Sequence, residues 1–196
     1  VAAARRRFFS CRRCRLVFVD RRHLPTPLAE TLRYLHHADD PRHEGHRAFL
    51  EAGLASLLTR LPPGARGLDY GAGRAGTLAA LLAERGYPTK CFDPCFAPDE
   101  SLLASTYDFV TCTEVIEHFH EPRRELHTIA RLLRPGSFFA ITTALADHDT
   151  DLATWWYARD ETHVSFYRRE TLAWIGDRFG WALLDVTPGG ALFVNR

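Results

Sequence analysis

The run Gly67-Leu68-Asp69-Tyr70-Gly71-Ala72-Gly73-Arg74-Ala75-Gly76 constrains this chain more than any other stretch. It reads as a buried strand, a glycine turn, and a helix that starts at Thr77. Glycines at 71, 73 and 76 fit a G-x-G-x-x-G turn, in which backbone passes close to a bound nucleotide. That spacing alone is a weak signal. Asp69 sharpens it, because a dinucleotide oxidoreductase usually has an apolar residue at that depth of the strand. A carboxylate there points to a cationic group on the ligand.

Strands and helices alternate beyond this turn. Thr77 to Arg85 reads as a helix, Thr89 to Phe92 as strand two, and Tyr107 to Thr113 as a further strand. Glu121 to Leu133 reads as a helix stopped by Pro135-Gly136, and Ser137 to Thr143 as a strand. A helix over Arg168 to Phe179 ends at Gly180. Two last strands, Trp181 to Val186 and Ala191 to Asn195, are joined closely enough for an antiparallel hairpin. The alternation predicts an open, doubly wound, mostly parallel α/β sheet with its ligand at the carboxyl ends of the strands. Only thirteen residues separate Asp93 from Tyr107, too few for a helix plus a strand, so the third-strand region is expected to be abbreviated. Three segments are expected: a Cys-x-x-Cys arm over 1–24, a helical cover over 25–61 broken at Asp39-Asp40-Pro41, and the main domain over 62–196. In the arm, Leu16 to Val19 reads as a strand after the cysteine knuckle.

A net charge of +1 gives no global argument for nucleic acid or membrane as partner. No apolar run approaches the roughly 20 residues that span a bilayer, and the arginines of residues 1 to 9 are followed by no signal-peptide core. The expected location is therefore the cytoplasm. The chain begins with Val and has no Met, which suggests a trimmed N-terminus or a non-standard start. Five cysteines, an odd number, argue against a disulfide framework.

Four motifs in order resemble the class I S-adenosylmethionine (SAM)-dependent methyltransferases, in their small-molecule branch. Leu68 to Gly73 resembles their first motif, and Phe92-Asp93-Pro94 their acidic second motif, roughly 20 residues past the glycines. Tyr107 to His118 resembles their fourth-strand motif, and Leu132 to Ser137 the turn before strand five. Trp156 to Tyr167 is similar to a segment of bacterial methyltransferases that also carry a Cys-x-x-Cys stretch ahead of the domain. The resemblance implies a Rossmann-like fold and SAM as cofactor. It implies a cofactor site of Asp69, Tyr70, Gly71, Ala72, Gly73, Asp93, Pro94, Thr113, Glu114 and Val115. In it Asp69 meets the ligand's ammonium group, and Asp93 accepts both ribose hydroxyls, as an ionised carboxylate can. It also implies that the helices of residues 25–60 close over the cofactor.

Methyl transfer from a sulfonium needs alignment and removal of the acceptor's proton. An oxygen acceptor favours a base titrating near neutrality, hence a histidine. His118, directly after the fourth-strand motif, is the first candidate and His163 the second, with His120 a weaker third. A structural reading of His118 has its ring bonded to a neighbouring carbonyl or to Glu117. Trp155, Trp156, Tyr157, Phe166 and Tyr167 either wall an apolar substrate pocket or pack the core.

Cys11 and Cys14 have the spacing of half a zinc ribbon. A structural zinc site needs four ligands, so two free thiols are preferred over bound zinc. The arginine-rich N-terminus is read as a solvated tail in preference to a nucleic-acid-contacting arm. The expected partner is a small-molecule substrate, methylated on oxygen, nitrogen or carbon with oxygen mildly favoured. Two alternatives stand: a nicotinamide-dependent oxidoreductase, and a non-catalytic SAM-binding module that recognises nucleic acid through its basic arm. Nothing in the chain indicates an oligomeric state.

Overall fold

Two short strands, β1 (Phe8–Ser10) and β2 (Val17–Val19), pair antiparallel around the turn that carries Cys11 and Cys14. The structure, a computed structural model, describes residues 6–36 and 43–196. β2 starts at Val17 rather than Leu16. The strand before the knuckle, β1, carries no alternation long enough to read, and its extended form comes from pairing with β2.

Helix α1 (Pro27–Leu35) is started by Thr26, whose hydroxyl accepts from the Ala29 N–H, and by Pro27 in the first turn. α2 (Glu44–Gly53) and α3 (Ala55–Leu58) follow. The expected break at Asp39-Asp40-Pro41 lies outside the described residues. Leu50, Leu54 and Leu57 are buried and pack on one face of the main sheet with Leu78, Leu81 and Phe109.

That sheet has six strands, with β3 (Gly67–Tyr70) and β5 (Tyr107–Thr113) at its centre. β4 (Thr89–Phe92) forms one edge, parallel to β3. On the other side of β5 lie β6 (Leu133–Thr142), parallel to it, and the antiparallel strands β9 (Gly190–Asn195) and β8 (Trp181–Thr187). Along the sheet the order is β4-β3-β5-β6-β9-β8. No strand lies between Asp93 and Tyr107 among the described residues; a single 3-10 turn, Glu100–Ala104, fills that interval. Helix α4 (Thr77–Glu84) follows β3, and α5 (Pro122–Leu132) precedes β6. α6 (Arg169–Phe179) ends on Gly180 at φ 74°, a left-handed cap suited to glycine. β6 begins four residues earlier than expected and runs through Pro135-Gly136, where a register shift against β5 between Tyr107 and Phe109 absorbs the irregular backbone.

A second sheet joins the arm to the main domain. β7 (Ser165–Phe166) pairs antiparallel with β2. Val17, Val19, Tyr157, Ala158, Val164 and Phe166 form a separate buried cluster beneath it. The N-terminus is therefore no solvated tail at Arg6. Its guanidinium is half-buried and donates to the carbonyls of Ala158, Asp160 (3.1 Å), Glu161 (3.2 Å) and His163 (2.9 Å). No helix of the described residues is long and apolar enough to cross a membrane.

Candidate active site

Parallel strands that end together leave a crevice beyond their carboxyl ends. Here it is a cleft of about 1130 Å³ between the strand ends, α1 and the segment 156–163. All ten residues of the expected cofactor site line it, together with His118 and His163. The glycine turn reaches it because Gly71 and Gly73 adopt φ of 86° and 65°, and Gly76 turns into α4 at φ 58°. A Cβ at Gly71 would stand 2.5 Å from a methyl of Val115, so the turn packs directly on the fourth-strand motif.

Asp69 is only 2% exposed, and its Oδ1 accepts from the Thr111 hydroxyl at 2.8 Å. Asp93 is already engaged by backbone. Its Oδ2 accepts from the Gly73 N–H (3.0 Å), and its Oδ1 from those of Cys95 (2.8 Å) and Phe96 (3.0 Å). Asp93 thus staples the glycine turn to the turn after β4, and a carboxylate has lone pairs for a further donor. Tyr70 sends its hydroxyl to Glu125 of α5 at 2.6 Å. Thr77 and Thr113 also line the cleft, and their buried hydroxyls have no hydrogen-bond partner within the protein. Buried polar atoms are rarely left so, and those in a cleft await a ligand. Asp69, the two orphaned hydroxyls and the glycine turn fit a ligand that carries an amino group and hydroxyls, as SAM does.

The other end of the cleft is built around Tyr157. Its hydroxyl lies 2.6 Å from Glu117 Oε1, 3.1 Å from Glu114 Oε2 and 3.0 Å from Thr143 Oγ1. Glu114 has φ 52°, a left-handed conformation that costs a non-glycine residue about 1–3 kcal/mol and clusters at functional sites. Glu117 is fully buried. Burial, then the Glu114 charge, pushes its carboxyl up to about 8, and burial raises Glu114 as well. Burial and these two carboxylates raise the Tyr157 phenol, which stays protonated.

His118 and His163 stand ring to ring, with centroids 4.8 Å apart. His118 Nδ1 lies 3.0 Å from the Thr162 carbonyl, and His163 Nδ1 lies 2.8 Å from the Tyr157 carbonyl. A carbonyl only accepts, so each ring carries a proton on Nδ1 and turns its Nε2 away from that bond. The structural expectation for His118 is thereby met in part, with the carbonyl coming from a loop 44 residues away. His120 instead pairs with Glu30 of α1 at 2.8 Å.

Helix α1 supplies residues the sequence reading did not single out. Glu30, Arg33 and Tyr34, spaced i, i+3 and i+4, face the cleft. Arg33 bonds to Asp160 at 2.7 Å, and the Tyr34 ring meets that of His118 at 5.2 Å. That spacing was the available signal. Of the aromatic segment, Tyr157, Phe166 and Tyr167 are buried, while Trp156 lies 67% exposed at the cleft mouth. Cys11 and Cys14 are 3.5 Å apart. Among the described residues no third His, Cys, Asp or Glu joins them in a metal-sized cluster, whereas Glu117, His118 and His163 form one.

The fold, with its cleft beyond the strand ends, is that of a class I methyltransferase. The sequence pattern of a family described as a methyltransferase domain matches residues 34–186, and the chain belongs to that family. In structure it is similar to a 1,6-didemethyltoxoflavin-N1-methyltransferase from Burkholderia thailandensis, at 17% identity and a TM-score of 0.60, over 97% of this chain and 98% of that one. It is also similar to a magnesium protoporphyrin IX methyltransferase from Synechocystis, at 16% identity and a TM-score of 0.59, over 84% and 91% of the two chains. Among curated proteins, a ubiquinone biosynthesis O-methyltransferase of Erwinia tasmaniensis is 30% identical over 83 residues, which are 42% of this chain and 34% of that protein. One from Aeromonas salmonicida is 30% identical over 90 residues, 46% and 38% of the two. The matched stretch spans little more than a third of these curated relatives.

Proposed function

We propose that this chain transfers a methyl group from SAM to a small-molecule acceptor, with oxygen as the favoured acceptor atom. The observation that carries the reading is the convergence of Asp69, the glycine turn, Asp93, Thr113, Glu114 and Val115 with His118 and His163 on one cleft. Two neighbours described above were solved with the demethylated cofactor, S-adenosylhomocysteine, bound, and the curated relatives are named as O-methyltransferases.

SAM supplies a methyl group on a sulfonium whose departure needs no protonation. The protein's own work is then positioning and proton removal. Asp69 and the orphaned Thr113 hydroxyl hold the amino-acid end of the cofactor. Asp93 keeps the glycine turn in place and offers its remaining lone pair to the ribose. Val115 against Gly71 fixes how far the turn enters the cleft. The acceptor lies toward His118 and His163, where an Nε2 lone pair accepts its proton. Helix α1 and the segment 156–163 narrow the access of water to that end. The two thiols of the arm, Cys11 and Cys14, stay outside this chemistry.

Calorimetric titration with SAM, S-adenosylhomocysteine and NAD tests the reading. Binding of the first two, weakened in Asp93→Ala, supports it. Binding of NAD alone would show an oxidoreductase instead.

A further inference from the structure

Glu117, His118 and His163 place three ligand atoms within 4.8 Å of one another. His118 Nε2 and Glu117 Oε1 are 4.0 Å apart. Three atoms at that spacing surround a point at most about 2.8 Å from each, so bonds of about 2.0–2.2 Å need each ligand atom to move by less than about 1 Å. Each imidazole has its Nδ1–H held by a backbone carbonyl. Metal-ligating histidines are oriented in this way, with Nε2 left as the ligand atom. Glu117 adds an independent sign. It is fully buried, and its Oε2 has no hydrogen-bond partner within the protein.

A proton count around Tyr157 leads to the same place. One phenolic proton faces oxygens of both Glu117 and Glu114. Two buried acids set side by side favour a positive charge between them. We propose that Glu117, His118 and His163 bind a divalent first-row cation at the acceptor end of the cleft. Two imidazoles and a carboxylate suit zinc, manganese, iron or cobalt better than the oxygen-seeking magnesium or calcium.

What the cation does there rests on the methyl-transfer reading. It holds a hydroxyl oxygen of the acceptor and stabilises its deprotonated form, and the hydroxyl proton leaves to solvent. The histidines then act as ligands rather than bases. The acceptor class is narrowed to molecules that present a hydroxyl.

Titration of the purified chain with Co²⁺, followed by visible absorption and by proton NMR, tests the site. The expected result is one Co²⁺ per chain, with nitrogen–oxygen ligand-field bands and paramagnetically shifted imidazole protons. Affinity should fall at least about tenfold in Glu117→Gln and in His163→Asn, and hold in Cys11→Ser/Cys14→Ser. Circular dichroism establishes that each variant is folded. If one is not, the shifted imidazole protons of the unaltered chain decide. Absence of binding, a thiolate charge-transfer band lost with the cysteines, or binding indifferent to Glu117→Gln each overturns the proposal. SAM calorimetry on the same preparation separates the two readings, because SAM binding without a cobalt site removes the cation and leaves methyl transfer standing.

Discussion

The Thr111 hydroxyl donates to Asp69 Oδ1 at 2.8 Å, across the register pair that joins β5 to β3 just below the cleft. Both side chains are almost fully buried. A hydroxyl from the neighbouring strand thus helps to hold a carboxylate in the sheet interior, poised for a cationic ligand.

Thr111→Val preserves shape and deletes the donor. A hydrogen bond to a buried charged group is worth about 1.5–3 kcal/mol, and urea melts of the variant should show a loss of that order. Asp69→Asn removes the charge instead. Its SAM affinity should fall about tenfold or more by calorimetry, equivalent to about 1.4 kcal/mol. Unaltered affinity would remove Asp69 from the cofactor site.

Gly71→Ala should be more damaging than its single methyl suggests. The residue sits at φ 86°, and the added carbon meets Val115 at 2.5 Å. The left-handed backbone costs an L-residue about 1–2 kcal/mol, with the overlap in addition. Gly71→Ala/Val115→Ala should recover the overlap and not the backbone strain, giving partial rescue of SAM binding. Full rescue would show that the backbone conformation is immaterial.

His118→Ala and His163→Ala should leave SAM affinity within about threefold and reduce transfer at least about 100-fold, whether the rings take the acceptor's proton or hold the cation that stabilises its oxyanion. Single-turnover assays with labelled SAM provide the readout. Unchanged turnover in both would move the acceptor away from this end of the cleft.

Arg6 ties the N-terminus to the carbonyls of segment 158–163. Arg6→Ala should cost about 1.5–3 kcal/mol and leave that segment more open to protease, because charge-assisted bonds to these carbonyls disappear. Cleavage rates equal to those of the unaltered chain would contradict this.

Asp160 supplies a pH test. Burial pushes its carboxyl up, but the Arg33 guanidinium, the Thr162 hydroxyl and the Thr162 N–H together outweigh that and hold it below its ordinary value of 3.8. A carboxyl depressed in the folded state contributes stability above its unfolded pKa and loses it as pH falls through the folded one. Asp160→Asn should therefore lower the melting temperature at pH 6. The gap to the unaltered chain should narrow as pH falls below about 4. Arg33 is half exposed, so the pair's own share is at most about 1 kcal/mol.

Local pattern made much of this protein legible. Glycine spacing, a strand of four residues and the helix start at Thr77 are properties of neighbouring residues. β4 and β5 accordingly begin and end where the chain reads that they should. The missing third strand was readable from length alone. β1 was not, because three residues have no period and only β2 makes them extended.

The sequence by itself determined the order of the main sheet's strands and their helices and the glycine turn, because each follows from spacing along the chain, while its motifs, by resemblance, named the residues at the strand ends. Only the tertiary structure decided what those residues meet. Packing on Val17, Val19 and Phe166 brings Tyr157 to Glu114 and Glu117 across 40 residues or more. The same packing sets His163 beside His118 and seats Arg6 beneath their loop. Such contacts depend on how separate hydrophobic faces dock, and no local spacing encodes that.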